Sequence, residues 1–268
     1  MYPTLVTIGS FSLGSFGVLL ALSFIIFSYL VWKQLRDRGI DDEKIFDHII
    51  SVAAVSLLSA RLIYVLLYPQ VFMGNVLAVF LIWIYPGLSF WGGVLGASVG
   101  TYVFAKMQKL RIIHVTDAYA LAAPYGFILV SLGLFLDGTI LGKETNWITG
   151  MQALDQVRRH PIGLYAAILT TLYLLIEALI HWRVNPKNIP KGVFSWLMLF
   201  FIGWSNLILA FFRDDLLYFQ GISIDVVVAT VTTVVSVVML ASLLHVQEAL
   251  QQMAIAIQQK WLKKKEHI

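Results

Sequence analysis

Apolar residues run through this chain in seven long blocks, at about 11–32, 49–68, 88–105, 118–136, 163–181, 193–212 and 222–245, with short polar connectors between them. A helix crossing a bilayer core about 30 Å thick needs about 20 apolar residues. Each block therefore reads as a membrane-crossing helix. A further apolar piece, Val76 to Ile84, is too short to cross and is expected to be re-entrant or interfacial; Tyr85-Pro86-Gly87 breaks it from the third block. The pattern predicts an all-α integral membrane protein, with residues 1–246 as one seven-span domain and 247–268 as a separate tail.

Composition agrees. Of 268 residues, 59% are hydrophobic and 13% charged, against roughly 25% charged in soluble domains. The formal charge of +4 is small and gives no ground for a nucleic-acid partner; its placement matters more. There is no cysteine, so no disulfide, no thiolate metal site and no cysteine nucleophile. The opening MYPTLVTIGS has no basic stretch of the kind that begins a cleavable signal peptide, so the first span is expected to act as its own membrane-entry signal.

Basic residues gather on alternate connectors: Lys33, Arg36, Arg38 and Lys44; Lys106, Lys109 and Arg111; Arg183, Lys187 and Lys191; and Lys260, Lys263, Lys264 and Lys265 in the tail. The other side holds Lys143, Arg158, Arg159 and Arg213, and Arg61 lies within a span. The positive-inside rule then puts the amino terminus outside and the carboxyl terminus in the cytoplasm. In the tail, Leu250, Met253, Ile257 and Trp261 recur at helical spacing before a lysine run, the pattern of an interfacial amphipathic helix on an anionic leaflet.

Charge inside a span costs at least about 2.5 kcal/mol and calls for a reason. Glu177, near the cytoplasmic end of the fifth span, reads as structural, within reach of water or His181. Arg61 is deeper. Its guanidinium suits a phosphodiester, which it can grip with two parallel hydrogen bonds; the alternative is an arginine paired with Asp225, Asp137 or helix carbonyls. Polar chemistry otherwise concentrates in the long connector Asp137–Ile162 and at Arg213-Asp214-Asp215, both on the outer side. Within SFWGGVLGASVG (89–100), four glycines in an apolar run ask for a close neighbour, either another helix or a ligand.

Several stretches, in order, resemble the prolipoprotein diacylglyceryl transferases of bacteria. LVTIGSFSLGSFGVLLALSF is similar to that family's opening; SARLIYVLLYP, SFWGGVLGA, DAYALAAPYGFILVSLGLFLDGTILG, HPIGLYAA and LILAFFRDD resemble its later motifs. The resemblance implies seven spans with the amino terminus outside, in the bacterial inner (cytoplasmic) membrane. It implies transfer of a diacylglyceryl group from phosphatidylglycerol to a cysteine thiol of a lipoprotein precursor, with glycerol phosphate leaving and no cofactor or metal. It also implies lipid-headgroup contacts at Arg61, Gly92, Gly93, Gly133, Asp137, Gly138 and Arg213.

Such a reaction needs donors for the departing phosphate and a base or thiolate-favouring site for a thiol of ordinary pKa about 8.5. By the resemblance, this sequence replaces most of that set. Trp91 stands for a histidine, Phe16 for a tyrosine, Ser131 and Asn206 for arginines, Leu134 and Asp137 for asparagines, Thr139 and Ala210 for glutamates. In the HPxxLY stretch, Gly163 replaces a glutamine and Ala166 a glutamate. Trp91 can donate one hydrogen bond but cannot accept a thiol proton. The surviving candidate base is His160, whose residue type changes charge near neutral pH; its alternative is to cap backbone groups before Pro161. Three readings follow: a transferase with an altered centre, a non-catalytic homologue that binds lipid or lipoprotein precursors, and an enzyme acting on another lipid headgroup. A retinal-type photoreceptor is disfavoured by the lack of lysine in 222–245, and a transporter by the lack of a clear internal repeat.

Overall fold

A computed structural model describes residues 2–8, 11–74, 76–82, 84–140, 142–184, 189–219 and 221–244. A hairpin of β1 (Thr4–Ile8) and β2 (Phe11–Gly14) leads into α1 (Ser15–Arg36), then α2 (Asp42–Leu67), the short α3 (Pro69–Phe72) and a 3-10 turn at Val76–Val79. The chain continues through α4 (Phe90–Met107) and α5 (Ile112–Asp137), a hairpin of β3 (Met151–Gln152) and β4 (Arg158–Arg159), α6 (Ile162–Arg183) and α7 (Val193–Ala210). A last hairpin, β5 (Tyr218–Phe219) and β6 (Ile222–Ser223), precedes α8 (Ile224–Leu243).

Every apolar block becomes one helix. Six of them, α1, α2, α5, α6, α7 and α8, are long and apolar enough to cross a membrane. The chain is a mostly helical membrane protein. The seven-span expectation differs at α4, which forms where expected but is not among those six. Gly92, Gly93, Gly96, Gly100, Ser98, Thr101 and Lys106 dilute its apolar content. The all-α expectation is corrected by antiparallel two-stranded hairpins, one ahead of α1 and the others in the connectors, where short segments pair locally. The tail from residue 247 lies outside the described residues.

The α4 glycines face another helix. Gly92, Gly96 and Gly100 recur every fourth residue and so line one face of α4. A Cβ on Gly96 would lie 2.5 Å from the Cβ of Ser59, and one on Gly92 would lie 2.8 Å from the Cβ of Ile63, both on α2. Small residues at this spacing let two backbones approach closely, which drives association where lipid is as apolar as leucine. Ser56 Oγ seals the contact by donating to the Gly93 carbonyl at 2.9 Å.

Helix α5 is central. Its Val115, Ala118 and Ala122 pack with Val31 and Leu35 of α1 and Ile45 and Ile49 of α2. Its Ala120 joins Tyr173 of α6 and Phe194, Met198 and Phe201 of α7 in a second apolar cluster. The hairpin connectors meet at one end of the bundle: Gly142 pairs with Arg213, and the Lys143 N–H donates to the Phe212 carbonyl.

Candidate functional site

The positions where the resemblance expects the transfer chemistry sit on α1, α4, α5 and α7. The ring of Phe16 lies against Gly133, where an added Cβ would meet Phe16 Cδ2 at 3.3 Å. Ser131 is buried, and its carbonyl faces Gly163, whose Cβ would come within 2.6 Å of it. This contact joins α5 to α6 with no space for a longer side chain at 163. Asn206 donates its amide N–H to Ile202 one turn back on α7, at 2.8 Å. Trp91 follows Ser89, which caps α4 by accepting from the Gly92 N–H. Its indole packs against the second apolar cluster and edge-on to Phe90. The indole N–H is buried with no hydrogen-bond partner among the described residues, as are the Tyr173 hydroxyl and Glu177 Oε2 on the inward face of α6.

Arg61 is 4% exposed. Its Nε donates to Val79 O, Nη1 to Tyr85 O and Gly87 O, and Nη2 to Ala78 O, all at 2.8–2.9 Å. The guanidinium also lies over the ring of Phe72, 5.0 Å from its centroid. Four of the five N–H groups thus serve carbonyls, the alternative weighed for a buried arginine, except that the carbonyls belong to the connector 78–87. Among the described residues, no hydrogen bond joins Arg61 to Asp137, Asp225 or Arg213. The same charge that is costly in a span closes the chain around an irregular segment whose carbonyls lack helical partners.

At the hairpin end, α5 stops at Gly138, whose left-handed conformation (φ 72°) donates its N–H back to Leu134. Asp137, half-buried, has no partner among the described residues, and Thr139 is exposed. Arg213 is held two-pronged by Asp215 at 2.8 and 3.1 Å. Burial opposes the Arg213 charge, but the Asp215 carboxylate overrides it and raises the guanidinium pKa.

His160 stands apart from Trp91: no described contact joins them. Its Nδ1 lies 3.0 Å from the Tyr165 hydroxyl, which donates to Thr149 Oγ1 at 2.9 Å. The imidazole meets Phe212 edge-on at 5.0 Å. Gly142 is needed here, because a Cβ on it would lie 2.1 Å from the His160 carbonyl.

The profile of the prolipoprotein diacylglyceryl transferase family matches residues 3–242. The chain belongs to this family. Similar proteins named phosphatidylglycerol--prolipoprotein diacylglyceryl transferase include one from Geobacter sulfurreducens, 30% identical over 219 residues, covering 79% of this chain and 82% of its own length. Those from Rhodospirillum rubrum and Mannheimia succiniciproducens are each 28% identical, covering 79% and 85% of this chain and 80% and 87% of theirs.

Within this diacylglyceryl transferase frame, two groups escaped the sequence reading. Asp117, buried in α5, accepts from the Gly192 and Ser195 N–H groups and from Ser195 Oγ. Its signal was a carboxylate immediately ahead of the fourth apolar block. Arg159 pairs with Asp155 at 2.8 Å, Asp214 at 3.4 Å and Glu144 at 3.6 Å. Nothing local in the sequence marks it as the centre of the connector between α5 and α6 rather than its neighbour Arg158.

Proposed function

We propose that this chain is a phospholipid-binding member of the family that keeps the diacylglyceryl transferase scaffold and has lost the ionisable transfer centre. The ligand is phosphatidylglycerol or a lipid of that headgroup class, and lipoprotein precursors are the protein partners, as the relatives' names suggest. In this reading the chain crosses the bacterial inner membrane seven times, α4 included, with the amino terminus outside and the basic connectors in the cytoplasm.

The carrying observation is the character of Phe16, Trp91, Ser131, Leu134 and Asn206. None can take a proton from a thiol, none carries a cation for the departing phosphate, and the Asn206 amide is already engaged with its own helix. Neutral donors such as the unpartnered Trp91 indole can still serve a bound ester or phosphate oxygen. Lipid binding thus needs less than transfer does.

One observation favours a second reading, transfer by another route. With the Tyr165 hydroxyl proton directed to Thr149, His160 Nδ1 is the donor to the phenol and Nε2 keeps its lone pair, the arrangement of an oriented base.

Complementation of a strain depleted of its own transferase separates the two. The lipid-binding reading expects no growth despite normal membrane expression, with phosphatidylglycerol retained through purification. Growth with the parent chain overturns it, and loss of that growth in His160→Ala assigns the base.

A further inference from the structure

The least covered large apolar side chain among the described residues is in a connector rather than on a lipid-facing helix. Ile148 is 97% exposed and its neighbour Trp147 71%. Met151 and Leu154, on the same hairpin connector, are 41% and 59% exposed. Two adjacent large apolar residues left uncovered on a braced loop have a large transfer free energy unused in the fold.

The brace is specific. The Thr145 side chain accepts from the Trp147 N–H, and the Gly150 N–H donates to the Trp147 carbonyl. Arg158 Nη2 donates to the carbonyls of Gly150, at 3.0 Å, and Trp147, at 3.4 Å. The turn therefore presents its apolar pair as a fixed tip.

Its level is fixed as well. Thr149, next to Ile148, accepts a hydrogen bond from Tyr165. Tyr165 is in the first turn of α6, a helix long and apolar enough to cross the membrane. The tip thus lies beside the place where α6 enters the bilayer, the layer where tryptophan and tyrosine are enriched because they join an apolar body to a polar handle.

We infer that the Trp147–Ile148 tip inserts into the interfacial layer of the lipid bilayer beside α6 and anchors the outer connector to the membrane. A short apolar anchor of this kind reaches about 5–10 Å into the boundary between headgroups and acyl chains. Through Thr149 and Tyr165 it also fixes the height of His160 above the bilayer. The inference holds whether or not transfer occurs.

The cysteine-free chain allows a direct test. A nitroxide is attached to Ile148→Cys, and separately to Gln152→Cys on the same hairpin, in the full chain reconstituted into phosphatidylethanolamine–phosphatidylglycerol vesicles. Both positions are exposed, so labelling leaves the packing intact. The expected result is collision with dissolved oxygen and several-fold suppressed collision with a water-soluble nickel relaxer at 148, and free access of the nickel reagent at 152. Equal access of the nickel reagent to both positions overturns the inference. So does protection of 148 that arises only on adding a lipoprotein-precursor peptide, which assigns the tip to peptide instead of lipid.

Discussion

Asp117 and Ser195, 78 residues apart, are joined by two hydrogen bonds: Ser195 Oγ donates to Asp117 Oδ1 at 2.6 Å, and the Ser195 N–H donates to the same oxygen at 3.1 Å. The second oxygen takes the Gly192 N–H at 2.7 Å. A carboxylate on α5 thus caps the start of α7, where unsatisfied N–H groups and the helix dipole favour negative charge. Asp117→Ala is expected to destabilise the protein by about 2–3 kcal/mol, from lost charge-assisted bonds and a buried helix end left uncapped. Asp117→Asn keeps acceptor geometry at one oxygen and is expected to lose less. Unfolding in mild detergent, followed by helical circular dichroism, gives the ranking; a loss in Asp117→Asn equal to that in Asp117→Ala would show that the neutral acceptor recovers nothing.

Arg61 is expected to behave as a brace for the connector 78–87. In Arg61→Ala, the carbonyls of Ala78, Val79, Tyr85 and Gly87 lose their donors together. The expected destabilisation is about 3 kcal/mol or more, with raised proteolysis inside the connector. Arg61→Lys supplies a point charge in place of a fork and is expected to recover only part of it. Unchanged proteolysis in Arg61→Ala, with lipid retention lost, would move the residue from the fold to the ligand.

The α2–α4 contact makes a prediction with an internal control. Gly96→Val places methyl groups where Ser59 already stands 2.5 Å from the new Cβ, and is expected to cost about 1–3 kcal/mol or to part the helices. Gly93→Ala, whose Cβ would find Ser56 Oγ at 3.6 Å and Ala60 Cβ at 3.8 Å, should be tolerated. A pair of cysteines bridging α2 and α4 should cross-link in the second variant and not in the first.

These contacts mark what was legible beforehand. The seven helices were readable because each holds a single apolar run, although α2 starts at Asp42 and α5 at Ile112, well ahead of their apolar blocks, where polar residues of the connectors join the helix. The glycines of 92–100 announced a close neighbour, but their four-residue spacing also had to be matched to Ser59 and Ile63 on a helix distant in sequence. Arg61 was visible as an anomaly; its acceptors were not, because backbone carbonyls of an irregular segment leave no mark in residue types. The hairpins β3–β4 and β5–β6 were hidden for a related reason, since strands of two residues carry no period. At the site positions the residue types were readable, but not that Asn206 turns back on its own helix.

The Arg159 cluster should respond to acid only far below neutral pH. Hydrogen bonding to Arg159 and to the Val157 N–H holds the Asp155 carboxyl below its ordinary range. A depressed carboxylate contributes stability that is present above its unfolded pKa, about 3.9 for an aspartate, and lost as pH falls through the lower folded value. The connector 142–160 is therefore expected to be unchanged from neutral pH down to about 4 and to loosen only below it. Hydrogen exchange at the amides of Thr145 and Ala153, which bond to Arg158 and Val157, reports this. Asp155→Asn should remove the acid step; a step that persists in that variant would assign it to Glu144 or Asp214.

Introducing the residues that the resemblance implies at these positions tests the proposal that a missing centre is the whole difference. Trp91→His alone returns a base but no cation, so the departing phosphate still lacks its charged partner and transfer is expected to remain absent. Removing the indole from the aromatic cluster should also cost stability, because Trp91 packs there against Phe90 and the α5 to α7 core. Adding Asn206→Arg places a cation on α7 and frees Ile202 from its amide partner. Ser131→Arg is the demanding change, since Ser131 is buried where α5 meets α6 across Gly163. The triple variant is expected to show diacylglyceryl transfer to a precursor peptide that the parent and each single variant lack. If it folds and binds phosphatidylglycerol yet transfers nothing, the scaffold has diverged in more than these positions. If Trp91→His alone transfers, the cation required for the phosphate is already present in the chain, and Arg213, freed from Asp215, is the first residue to test.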